Sequence, residues 1–107
     1  MSAKAILSAS VSAPPVFVED VFSTFLYTGN GSTQTITNGI DLSGKGWLTW
    51  IKGRSGATGH RLTDTARSAT KSLASDSTAA EATESTGLTS FSSTGFAIGA
   101  DADYNTS

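Results

Sequence analysis

Short apolar runs and a polar Thr-rich run, set off by glycine turns, succeed one another along this chain, the layout of antiparallel β-strands. Val16–Thr28 is rich in Val, Phe, Tyr and Thr and reads as strand, interrupted by Glu19 and Asp20, with Val21–Thr28 the better piece. Gly29-Asn30-Gly31 then predicts a turn, because Gly and Asn tolerate positive φ. Ser32–Thr37 is a polar β-run with Thr33, Thr35 and Thr37 on one face, and Asn38-Gly39 is a second turn signal. Ile40 and Leu42 lie two apart around Asp41, and Ser43-Gly44-Lys45-Gly46 closes that piece. Trp47–Lys52 is the strongest strand. Leu48 and Trp50 point one way, and Trp47, Thr49 and Ile51 the other. Apolar residues on both faces predict a strand covered on both sides, as in the middle of a sandwich.

Beyond the glycine-rich loop Gly53–Gly59, two short strands are predicted around His60–Asp64 and Thr70–Ser75. The spacing of Leu62, Ala66, Ala69 and Leu73, with Asp64 as a cap, leaves a helix as the alternative, although Thr and Ser between them are mediocre helix formers. Ser75–Thr86 reads as a surface loop with room for a helical turn at Ala79–Thr83. Leu88–Phe91 and Gly95–Ile98 form strands across the turn Ser92-Ser93-Thr94, and Asp101–Ser107 is a polar end. Met1–Pro15 reads as an extended arm, since Pro14-Pro15 favours a polyproline-like path. The expected architecture is therefore all-β and antiparallel: an arm over 1–15 and one sandwich domain over 16–107. Its expected core is Phe25, Tyr27, Ile36, Leu48, Trp50, Phe91, Phe96 and Ile98.

Composition narrows the partners. Ser and Thr make up roughly a third of the chain, far above ordinary usage, which suits a thin β-structure with much solvated surface. The net charge is −2 and the 7 Lys and Arg are scattered, so no phosphate-binding footprint is present and no nucleic-acid partner is expected. With Cys 0, a disulfide framework and thiolate metal sites are excluded. The apolar run Ala5-Ile6-Leu7 is too short for a signal peptide, and no run is long enough for a membrane helix.

Candidate chemistry is sparse, and no enzyme, cofactor or metal is predicted. His60 and Asp64 lie among many serines, but no Gly-x-Ser-x-Gly elbow accompanies them. Glu19 and Asp20 would face opposite sides of a strand, and Glu81 and Glu84 sit in a loop. Asp101-Ala102-Asp103-Tyr104-Asn105 begins like a calcium loop, but Thr106 stands where the turn glycine belongs and no bidentate Glu follows. Gly29-Asn30-Gly31 and Gly44-Lys45-Gly46 lack the strand-to-helix junction of a phosphate loop. Tyr27, Trp47 and Tyr104, with Trp50, are the candidates for stacking on a glycan, against the commoner role of such aromatics as core or subunit anchors. Asn30-Gly31-Ser32 and Asn105-Thr106-Ser107 match the glycosylation acceptor pattern.

The run FSTFLYTGNGSTQTITNGIDLSGKGWLTWIKGRS (Phe22–Ser55), with HRLTDTARSATKSL, STAAEAT and GLTSFSSTGFAIG after it, resembles a domain of unknown function common in structural proteins of marine and freshwater bacteriophages. The resemblance implies a laminin-G or concanavalin-type jelly roll in a virion component such as a tail fibre or tail tip. Its implied partners are other virion subunits, in a homo-oligomer that is a trimer in fibres, and a host-surface glycan. A capsid decoration protein and a lectin-like receptor-binding module are the alternatives. Val16, Phe17, Val18, Val21 and Phe22 are the residues expected to form the assembly interface. Members of that domain continue into a further strand where this chain ends, at Ser107, so the jelly roll is expected to be incomplete here, finished by another subunit or continued in a longer protein.

Overall fold

The computed structural model describes residues 15–44 and 46–107. The arm expected over 1–15 lies, apart from its last residue, outside the described residues. Two antiparallel sheets make an all-β sandwich, the class the sequence predicts. In chain order the elements are α1 (Val18–Val21), β1 (Gln34–Thr37), β2 (Leu48–Lys52), β3 (His60–Asp64), β4 (Lys71–Ala74), β5 (Ala82–Thr83), β6 (Leu88–Ser92), β7 (Gly95–Ile98) and α2 (Ala102–Asn105). One sheet has the order β1-β7-β6 and the other β2-β3-β4-β5. None of the described helices is long and apolar enough to cross a membrane.

The three-stranded sheet is built as its alternation demands. Ile36 lies opposite Phe96, and Leu88 opposite Ile98, and all four are buried. Gly95 has a φ of 155°, and a Cβ there would lie 2.0 Å from the Ile36 carbonyl oxygen, so only glycine lets β7 approach β1 at this point. The connection after β1 runs along the end of the β6–β7 hairpin. The amides of Asn38 and Gly39 donate to the Thr94 carbonyl at 3.1 Å, and Leu42 N donates to Ser92 O at 2.8 Å. This path drops Ile40 and Leu42 into the core, beyond the set that alternation predicts.

The four-stranded sheet differs from expectation. Its inner face contributes Ile51 to the core but otherwise carries Thr49, Arg61 and Thr63, and Thr63 is buried. Arg61 is paired within the sandwich. Its Nη1 lies 3.0 Å from Glu84 Oε2, and its Nε donates to Asp103 Oδ2 at 2.9 Å. The outer face carries Leu48, Trp50, Leu62 and Leu73, with Trp50 opposite Leu62 and Leu62 opposite Leu73. Leu48 and Trp50 are 57% and 62% exposed. The expectation that β2 is covered on both sides, and that Leu48 and Trp50 are core, is therefore corrected. Along this strand Ile51 is buried and Trp47 packs half-buried against the core.

Two further expectations change. Residues 16–28 form no strand. The Asp20 carboxylate accepts from Phe17 N at 3.0 Å and sets one helical turn, and the chain beyond it runs without strand pairing. Phe25 is 49% exposed and is not core. The polar end 101–107 is not a tail: Asp101 caps α2 by accepting from Asp103 N at 2.9 Å, and Tyr104 and Asn105 are buried between the sheets. Strands rather than a helix occupy 60–64 and 71–74, and the loop at 79–83 holds the two-residue β5 in place of a helical turn.

Candidate functional site

The open side of the sandwich lies along β2, an edge strand among the described residues. Thr65 N donates to the Trp47 carbonyl at 3.1 Å, which fixes the alternation of hydrogen bonds toward β3. By that alternation Thr49 and Ile51 bond to β3, and the backbone groups of Leu48, Trp50 and Lys52 point to the open edge.

A cleft of about 960 Å³ follows this edge. Its floor is core: Ile40, Leu42, Ile51 and Phe96. One wall is β2, and the other is the chain from Val21, at the end of α1, to Tyr27. That second wall has the residue types of a strand but no sheet partner, and its Phe22, Phe25 and Leu26 are 65%, 49% and 70% exposed. Among the described residues, the charged or titratable side chains at the cleft besides the Tyr27 phenol are Lys52, Arg54 and His60, and no carboxylate lines it. Lys52 Nζ donates to the Gly53 carbonyl at 2.6 Å, and neither Lys52 nor Arg54 has an ion-pair partner among the described residues. At the rim, Trp50 Nε1 donates to His60 Nδ1 at 3.0 Å, with ring centroids 5.8 Å apart and tilted by 59°. This bond ties the exposed indole to the neighbouring strand β3.

The residues expected at an assembly interface are all solvent-facing: Val16, Phe17, Val18, Val21 and Phe22. Val21 and Phe22 line the cleft, and the other three lead up to it. The glycan-stacking set is corrected at Tyr104, while Tyr27 and Trp47 line the cleft. Tyr104 is buried, so its ring meets no ligand from solution. Tyr27 is half-buried and its hydroxyl donates to the Tyr104 carbonyl at 2.6 Å, and Trp47 packs against the core. Burial pushes the phenols of Tyr27 and Tyr104 up to about 12; for Tyr104, the carboxylate of Glu84 adds to the effect.

The other candidate chemistry is dispersed. His60 faces Trp50, while Asp64 accepts from the Arg67 amide at 2.7 Å. The Asp76 carboxylate accepts from His60 N at 3.2 Å and is held below the usual carboxylate range by its own amide and that of His60. The residues that begin like a calcium loop are spent on structure, Asp101 on a cap and Asp103 on Arg61, and no group of three or more His, Cys, Asp or Glu that could hold a metal occurs among the described residues. Asn105 is buried, so its sequon is out of reach of a modifying enzyme.

Sequence reasoning misses Leu26, Leu48, Lys52 and Arg54 as surface residues of the cleft, and places Trp50 both in the core and among the stacking candidates. One signal is available: Leu48, Trp50 and Lys52 share a face by period, and a lysine on that face marks it as the wet side.

The geometry defines a small antiparallel β-sandwich with an apolar cleft along one edge strand. The chain belongs to the family described as Domain of unknown function (DUF7483), whose model matches residues 18–107. None of the curated proteins and none of the solved structures matches it.

Proposed function

We propose that this chain is a structural component of a bacteriophage virion, in a tail fibre or tail tip, and that it acts by subunit assembly rather than catalysis. The observation that carries the assembly reading is an apolar stripe on the outer face of the four-stranded sheet. Leu48, Trp50, Leu62 and Leu73 lie there beside Lys52, His60 and Asp64, while the inner face holds Thr49, Arg61 and Thr63 beside Ile51. Apolar surface of this kind, continuous with exposed Phe22, Phe25 and Leu26 at the cleft, is what an interface core is made of. The virion context rests on the resemblance of the Phe22–Ser55 run and its later motifs to a domain of phage structural proteins. The partners are then other virion subunits, and aromatic anchors such as Trp50 and Phe22 supply most of the contact energy.

Antibody labelling of purified particles tests this reading. Label at the tail supports it; label on the head supports the capsid-decoration alternative; particles free of the protein overturn it. A lectin-like role is the second reading, favoured by the exposed, hydrogen-bonded indole of Trp50 beside Lys52 and Arg54. Binding on a glycan array that Trp50→Ala abolishes would establish it.

A further inference from the structure

We infer that the cleft along β2 receives segment 16–22 of a second copy of this chain, in a reciprocal exchange of strands. The inference rests on the reading of the chain as an assembly domain and names the partner. Three observations converge on this occupant.

The first is the shape of the cleft. The backbone groups of Leu48, Trp50 and Lys52 point to an unpaired edge, and the core residues Ile40, Leu42, Ile51 and Phe96 reach the cleft floor. An extended segment rich in apolar side chains satisfies both, by pairing with β2 and covering the floor. The five residues of β2 offer about 17 Å of edge, and five to seven extended residues match that length.

The second is a segment in want of a sheet. Residues 16–22, VFVEDVF, are β-branched and aromatic, the composition of a strand. Of these, only Val18–Val21 takes up secondary structure, as a single exposed helical turn, and Val16, Phe17 and Val18 are exposed at 70%, 57% and 71%. One short turn without a buried residue costs little to unwind.

The third is charge. The cleft carries Lys52 and Arg54 and no carboxylate, and the segment carries Glu19 and Asp20 and no cation. No ion pair holds any of these four among the described residues. The segment adjoins the cleft wall at Ser23, so a segment leaving one copy enters the other beside the wall formed by residues 23–27 of the receiving copy. The arrangement closes with two-fold symmetry.

The test uses the full chain and two charge-reversed variants, followed by sedimentation or light scattering. Glu19→Lys/Asp20→Lys places cations in the segment; Lys52→Glu/Arg54→Glu places carboxylates in the cleft. All four positions are exposed, and circular dichroism confirms that each variant folds. The unmodified chain is expected to dimerise, and each variant alone to do so about tenfold or more weakly, because like charges then meet in both halves of the exchange. Mixing the two variants restores a heterodimer, since each segment again meets a cleft of opposite sign. A chain that stays monomeric, variants that dimerise as tightly as the parent, or a mixture that fails to pair each overturn the proposal. The particle-labelling result stands apart: a virion protein that is monomeric in solution sinks the exchange and leaves the virion reading intact.

Discussion

Asn105 and Asn30 exchange hydrogen bonds across 75 residues of sequence: Asn30 N donates to Asn105 Oδ1 at 2.9 Å, and Asn105 Nδ2 donates to Asn30 Oδ1 at 3.2 Å. The same buried amide also donates to the carbonyls of Ser32 and Gly99 and accepts from Gln34 Nε2. Backbone adds to the clasp, since Gly31 N donates to the Asn105 carbonyl at 2.8 Å. The chain following β7 is thereby fastened to the turn preceding β1, and one wall of the cleft hangs from that turn.

Asn105→Ala therefore leaves several buried groups without partners. A loss of about 2–3 kcal/mol is expected in urea denaturation. Asn105→Asp should cost at least as much, because a carboxylate cannot donate to the Ser32 and Gly99 carbonyls. A loss below about 0.5 kcal/mol would show that water replaces the clasp.

Gly29 meets the same end of the chain from the other side. A Cβ at Gly29 would lie 2.0 Å from the Thr106 carbonyl oxygen, which is backbone and cannot swing away. Gly29→Ala is expected to destabilise by about 1–3 kcal/mol. Gly44 is the control, because a methyl group added there would meet no atom within 4 Å. Gly44→Ala should stay within about 0.5 kcal/mol of the parent.

Alkaline pH should unfold the protein through its tyrosines. Tyr27 and Tyr104 are the chain's 2 tyrosines, and both phenols are raised to about 12. A raised folded value means that the native state holds the proton more tightly than the unfolded chain, where the value is about 10. Their contribution is complete below about pH 10 and is lost as pH rises toward 12. Tyrosinate absorbance should rise late and together with the loss of circular dichroism. An ordinary titration near pH 10 with the fold intact would contradict the burial of both rings.

Trp50 and Ile51 are neighbours on opposite faces of β2, and their variants should separate folding from assembly. Ile51→Ala removes a core side chain and is expected to cost about 2–4 kcal/mol. Trp50→Ala, at 62% exposure, should change thermal stability little and weaken association instead. Equal destabilisation by both would mean that the outer face is already covered within one chain.

Much of this fold is legible in the sequence because strand periods and turn residues are local. His60–Asp64 and Gly95–Ile98 lie where alternation places them, and Leu88–Ser92 extends its expected strand by one residue. Segment 16–28 departs from its strand-like composition because β-propensity describes a residue's fit to a sheet and not the presence of one, and no described strand pairs with it. The polar end 101–107 departs from expectation for the converse reason. Asn105 and Asp103 look like surface residues until distant partners, Asn30 and Arg61, satisfy them.

The sequence by itself determined the class of fold, the turns and two alternating sets of side chains on β2. Beyond the hint of Lys52 on one of them, tertiary structure decided which set is inside. Both sets hold large apolar residues, so period-two patterning defines the two faces without ranking them. The choice fell to the packing of the opposite sheet and α2, which gather Ile51 into one core with Phe96, Ile98 and Tyr104 and leave Leu48 and Trp50 on the outside.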